Sequence, residues 1–179
     1  MPQTWSDDGF EALFRAVYPR VVRASALVLG DRESAEDVAQ EAFVRLLTKA
    51  PLAPEDAERW VFRVARNLQV DRLRERRRLV PLGDTWDGLA GLDPTPSTSA
   101  SPEPEVASPL RITALRAAVA ALPERQREVV GLRIYGELSY EAIAAAVGRS
   151  LGAVRQELYR ARAALREKVV GSALEDDDG

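Results

Sequence analysis

Residues 79–109 hold six prolines (Pro81, Pro94, Pro96, Pro102, Pro104 and Pro109), five acidic residues and no basic one, and they include the run TPSTSASPEPE. Their apolar residues follow no sustained period. Such a composition cannot bury enough surface to offset chain entropy, so the stretch is expected to stay disordered in the free protein. Its 31 residues span roughly 30 Å as a random coil and about 100 Å when stretched. The chain is therefore expected to fold as two small domains that can sit far apart on a partner.

Both flanks read as helix, which makes the expected fold class all-α. In residues 1–78, Phe10, Leu13, Phe14 and Val17 line one amphipathic face. Pro19 is placed to open a second helix that runs to Leu29 and ends at Gly30. Asp31 or Ser34 begins a third, the Ser34–Asp37 spacing resembling a capping box. Val38, Ala42 and Leu46 face inward there. After Pro51–Pro54, a long helix over Glu55–Arg78 buries Ala57, Trp60 or Val61, Val64 and Leu68. The expectation is a four-helix N-terminal domain. Residues 110–170 read as helices over Leu110–Ala121 and Glu124–Ile134, then a helical pair, and residues 171–179 form an acidic tail.

That pair, LSYEAIAAAVGRSLGAVRQELYRARAALR, is a helix-turn-helix pattern. Ser139 caps the first helix, Gly148 suits the left-handed conformation that ends it, and Ser150 caps the second. Val154, Leu158, Ala161 and Leu165 recur at spacings of four, three and four, one apolar stripe. Arg155, Gln156, Tyr159, Arg160, Arg162 and Arg166 fall on the other side. Such a face fits the major groove, where Arg and Gln address base edges.

The formal net charge of −3 is unevenly spread. Residues 59–78 carry +6 and residues 110–170 carry +5, whereas residues 1–58, 79–109 and 171–179 carry −5, −5 and −4. Two basic blocks separated by acidic ones suggest two footprints on one polyanion. The chain has neither cysteine nor histidine. Disulfides, thiolate chemistry and the commonest general base are therefore excluded, and no cofactor or metal is expected. The apolar runs are too short to cross a membrane, and the opening MPQTWSDDGF does not read as a secretory leader. A cytoplasmic protein with no membrane association is expected.

Three pieces in order carry a resemblance: SAEDVAQEAFVRLL (34–47), WVFRVARNLQVDRLRERRR (60–78) and LPERQREVVGLRIYGELSYEAIAAAVGRSLGAVRQELYRARAALRE (122–167). Together they closely resemble the extracytoplasmic-function (ECF) sigma factors, the short two-domain branch of the sigma-70 family of bacterial RNA polymerase subunits. The resemblance implies that the helix of the first piece grips the clamp coiled coil of the polymerase largest subunit, through Asp37, Gln40, Glu41 and Phe43, although Phe43 fits a core position equally well. It implies −10 promoter contacts from Arg59, Arg63, Arg66, Asn67, Asp71 and Arg72, with Asn67 reading a flipped base beside the loop Ala50–Ala57. It also implies −35 contacts from Arg149, Ser150, Arg155, Gln156, Tyr159, Arg160 and Arg162, with Arg149 and Arg162 on phosphates. Gln156 stands where a serine is common and Glu157 where a basic residue is common, so a shifted −35 preference is expected. Glu157 is expected to pair with Arg160 or Arg162. Further implied partners are promoter DNA and an anti-sigma factor, and the free subunit is expected to be a monomer.

Two other readings fit parts of the pattern. A helix-turn-helix regulator would use residues 1–78 for dimerisation and bind a palindrome without polymerase. A carboxylate-only hydrolase would rest on Asp37 and Glu41, four apart on one helix, but no second acidic cluster completes such a site.

Overall fold

Ser6 begins the first helix, its hydroxyl accepting from the Gly9 amide at 3.2 Å with Asp7 and Asp8 favouring the positive end of the helix dipole. The computed structural model describes residues 5–49, 54–79 and 109–175. Helix α1 (Asp7–Leu29) ends at Gly30, which takes the left-handed conformation (φ 80°) and donates its amide to the Ala26 carbonyl. It is followed by α2 (Arg32–Lys49) and α3 (Pro54–Leu79), and then by α4 (Pro109–Ala120), α5 (Glu124–Ile134), α6 (Tyr140–Val147) and α7 (Leu151–Glu175). The described residues contain no strand, and none of their helices is long and apolar enough to cross a membrane.

One local expectation is corrected, and one open alternative is resolved. Pro19 opens no new helix: it lies inside α1, so the first domain has three described helices rather than four. Proline removes one backbone donor, but this residue faces solvent, where water can satisfy the freed carbonyl. The half of α1 beyond it is anchored by burial of Val21, Val22 and Ala24–Leu29, with Val17 buried just before it. The start of α2 belongs to Asp31, whose Oδ1 accepts from the Ser34 amide at 2.7 Å. Ser34 is not a cap; its hydroxyl instead accepts from Arg76 at 2.8 Å. Arg76 also donates to the Leu29 carbonyl at 2.6 Å and pairs with Asp31, so the end of α3 is bolted to the α1–α2 corner.

The first domain packs α1, α2 and α3 around Val17, Val21, Val38, Leu46, Val61 and Phe62, each 1% exposed or less. Burying a side chain of this size contributes about 1.5–3 kcal/mol. Ser25 and Gln69, both buried, satisfy each other at 2.8 Å across α1 and α3. In the second domain, α5 and α6 pack on α7 through Val129, Ile143, Val147, Val154 and Ala161, and α4 closes the far side of α7.

The two domains do not stand apart. Helix α5 lies on α1 and α6 on α3, and one apolar core runs through both. Close approach is possible because residue 131 is glycine. A Cβ there would meet the Ala24 carbonyl oxygen at 3.1 Å and the Ala24 Cα at 3.4 Å. Arg20 of α1 reaches across, donating to the carbonyls of Tyr135 (2.8 Å) and Gly136 (2.7 Å) in the turn after α5. The same guanidinium pairs with Glu58 at 2.9 Å and lies 5.7 Å from the Phe62 ring centre. The expected linker (79–109) falls almost wholly outside the described residues; of the expected tail (171–179), residues 171–175 continue α7 and 176–179 lie outside the described residues.

Candidate nucleic-acid and partner interfaces

The helix-turn-helix is built as its capping residues direct. The Ser139 hydroxyl accepts from the Ala142 amide at 3.1 Å, and Gly148 (φ 64°) ends α6 by donating to the Ala144 carbonyl. The Ser150 hydroxyl then accepts from the Ala153 amide at 3.2 Å and starts α7. Val154, Leu158 and Ala161 are buried, with Leu165 half-buried behind them. Arg155, Gln156, Tyr159, Arg160 and Arg162 are all exposed on the outer face, Tyr159 by 76%. A shallow groove of about 460 Å³ runs along this face between Tyr140 and Arg166. Tyr140 is held from behind by Arg133, 5.2 Å from its ring centre.

Arg149 is placed differently from the rest of that set. It is half-buried, and its guanidinium pairs with Glu128 of α5. Burial pushes its pKa down, as do the neighbouring charges of Arg125 and Arg66, while Glu157 acts in the opposite direction. Glu157 forms no ion pair with Arg160 or Arg162 among the described residues; its charge acts on Arg149 instead. Arg149 Nη1 is buried without a hydrogen-bond partner.

On α3, Arg59, Arg63 and Asn67 recur every four residues and are exposed along one face. Arg59, Trp60 and Arg63 form one wall of a groove of about 500 Å³, whose other wall is Ser139, Glu141 and Ala142 of the second domain. Trp60 itself packs against the core. Arg66 is half-buried: its Nε donates to Glu128 at 2.7 Å, and burial pushes its pKa down. Asp71 is exposed beside Arg74 at 3.7 Å. Arg72 is tied to Asp37 at 3.2 Å. Of the expected pocket-wall loop, residues 50–53 lie outside the described residues and 54–57 form the first turn of α3.

On α2, Asp37 and Gln40 are exposed, and Glu41 pairs with Arg45 one turn on at 2.8 Å. Phe43 does not join them. It is 2% exposed, edge-on to Phe14 (5.0 Å) and Phe10 (6.1 Å), so it belongs to the core and not to a docking face. Two residues that sequence reasoning missed complete the outer stripe: Val44 and Leu47 are exposed by 52% and 53%. Their signal lay in the spacing, since positions 37, 40, 44 and 47 recur every three or four residues. The exposed stripe is thus acidic and amide-bearing at one end and apolar at the other.

Comparison with known proteins agrees with this arrangement. Residues 13–79 match Sigma-70 region 2, and residues 112–165 match Sigma-70, region 4. An ECF RNA polymerase sigma factor, SigE of Mycolicibacterium smegmatis, is 33% identical over 162 residues; the alignment takes in 88% of this chain but 60% of that protein. SigD of Mycobacterium tuberculosis, also an ECF RNA polymerase sigma factor, is 30% identical over 172 residues, 89% of this chain and 76% of that one. Among solved structures, the sigma factor RpoE bound to the anti-sigma factor NepR from Bartonella quintana aligns with a TM-score of 0.61 and 25% identity. That match covers 89% of this chain and 96% of that one. By these measures the chain belongs to the ECF sigma factors of the sigma-70 family.

Proposed function

We propose that this chain is a promoter-specificity subunit that docks on core RNA polymerase and directs it to −10 and −35 elements, itself performing no catalysis. One observation carries the reading: α7 buries Val154, Leu158 and Ala161 and leaves Arg155, Gln156, Tyr159, Arg160 and Arg162 free on the opposite face. Arg and Gln there have the donors to read guanine and adenine edges, and Arg162 takes a phosphate. The exposed row Arg59, Arg63 and Asn67 serves the −10 element. Asn67 is the base reader, and Arg66 and Arg72 hold phosphates. The α2 stripe of Asp37, Gln40, Val44 and Leu47 docks on the clamp coiled coil of the largest polymerase subunit, its apolar end supplying the buried contact.

Residues 1–78 then act as the polymerase-binding and −10 unit and residues 110–170 as the −35 unit, with 79–109 as tether. Neither unit needs high affinity alone, because joining them on one enzyme raises the effective concentration at the second site. The work is done in the cytoplasm, where the polymerase is. An anti-sigma factor is the expected antagonist, supported by the structural relative RpoE, captured with the anti-sigma factor NepR.

Transcription by purified core polymerase on a promoter library, with and without this chain, tests the proposal. Start-site selection that appears only when both are present is expected. Tight binding of the free chain to a palindrome as a dimer, without association with core enzyme, would instead identify a helix-turn-helix repressor or activator.

A further inference from the structure

Glu128 is a buried carboxylate on α5, in the second domain, and both its oxygens are taken by arginines from different parts of the chain. Oε1 accepts from Arg66 of α3, in the first domain, at 2.7 Å, and Oε2 pairs with Arg149, in the turn of the helix-turn-helix. These are the two arginines assigned above to phosphates of the −10 and −35 elements. We infer that Glu128 is an internal substitute for DNA phosphate, a latch that holds the free subunit closed and keeps both arginines from DNA until the domains part. This rests on the assignment of Arg66 and Arg149 to DNA.

The surroundings favour a latch over a simple brace. Closing desolvates Arg66 and Arg149 and sets them near each other and near Arg125, so only an anion between them makes the closed arrangement tolerable. If Glu128 is neutralised, two like charges remain in a partly buried crevice, which drives opening. A DNA phosphate competing for either arginine has the same effect, because it leaves the carboxylate buried and under-compensated. The closed form also sets α6 across a groove from the α3 face that carries Arg59 and Arg63, which stay exposed. One movement therefore frees Arg66 for the −10 element and Arg149 for the −35 element. Arg77 with Glu124, and Arg20 with the carbonyls of Tyr135 and Gly136, add polar ties along the same seam.

The chain has no native cysteine, so paired labels can be placed cleanly. Spin labels on E33C and E167C, both exposed positions on opposite domains, report the separation of the domains in full-length protein by pulsed electron resonance. Two variants open the seam by different means. E128Q keeps the shape of the side chain and removes its charge. G131L wedges α5 away from the Ala24 backbone without touching the second domain's own core, and it replaces a helix-breaking glycine. The wild type should give one short, narrow distance, and both variants a longer, broader one. Unlabelled, both variants should bind mixed-sequence duplex DNA about tenfold more tightly than the wild type at low salt, since phosphate contacts need no promoter sequence.

A wild-type distance distribution in E128Q overturns the latch, whatever G131L does. If E128Q does not fold, G131L decides: an opened G131L with wild-type DNA affinity overturns the claim that closure withholds the arginines. E128Q opening without any gain in DNA binding overturns, instead, the assignment of Arg66 and Arg149 to DNA.

Discussion

Arg72 of α3 donates to Asp37 of α2 at 3.2 Å, so a side chain assigned to promoter phosphates is tied to one assigned to the polymerase clamp. The pair is solvent-exposed on both sides, 35% and 54%, so it contributes at most about 1 kcal/mol. Each partner can therefore be recruited elsewhere at little cost. R72Q should leave affinity for core polymerase unchanged or slightly raised, because Asp37 is released, while D37A lowers it about tenfold. Fluorescence anisotropy titrations of labelled protein with core enzyme check both; an R72Q defect as large as that of D37A would place Arg72 in the docking face.

Phe43 and its neighbours Val44 and Leu47 should part company on mutation. Phe43 sits among Phe10, Phe14 and Tyr18, so F43A is expected to cost about 3–5 kcal/mol in urea unfolding. V44D and L47D change exposed positions and should shift stability by no more than about 0.5 kcal/mol. The same two should nevertheless weaken core-polymerase binding at least about tenfold, since a charge in the apolar centre of an interface is left without a partner. Unchanged binding in both would remove the apolar end of the stripe from the docking surface.

The outer face of α7 makes separable predictions for base and phosphate contacts. In reconstituted holoenzyme, R155A should cost about 1–3 kcal/mol on the preferred −35 sequence and flatten the preference at one base position. R162A should weaken all sequences alike and reduce the slope of log affinity against log salt by about 1. Selection from a randomised −35 library, repeated at two salt concentrations, distinguishes them. A uniform loss for R155A would reassign it to the backbone.

How much of this was legible beforehand depends on the range of the interaction. Ser139, Gly148 and Ser150 were readable because caps act within four residues, and the stripe Val154, Leu158, Ala161 because helical periodicity is local. The basic and amide rows on α3 and α7 followed from the same rule. Pro19 misled because proline's effect depends on which side of the helix it faces, and the solvent side tolerates it. Phe43 misled because an aromatic within a motif is silent about whether it turns inward. Glu128 gave no local signal at all: Arg66 and Arg149 are 62 and 21 residues from it in sequence. A pairing across two domains exists only once both are folded and closed.

Asp31 gives the fold a pH dependence of definite sign. Burial raises its pKa, but the Ser34 amide and the Arg76 guanidinium outweigh that, so the carboxyl titrates below its ordinary 3.8. A depressed folded value means the unfolded chain takes up the proton first. The stability that Asp31 contributes is therefore fully present above about pH 4 and is lost as pH falls through the folded value. D31N keeps an acceptor for the Ser34 amide and loses the attraction to Arg76, so it should be less stable at pH 7 by about 1 kcal/mol. The two proteins should then converge on acidification below pH 3.8, because the wild type surrenders what the variant never had. Urea unfolding from pH 7 to pH 2.5 checks this. Parallel stability curves across that range would show that the charge of Asp31 is not what fastens the end of α3 to the α1–α2 corner.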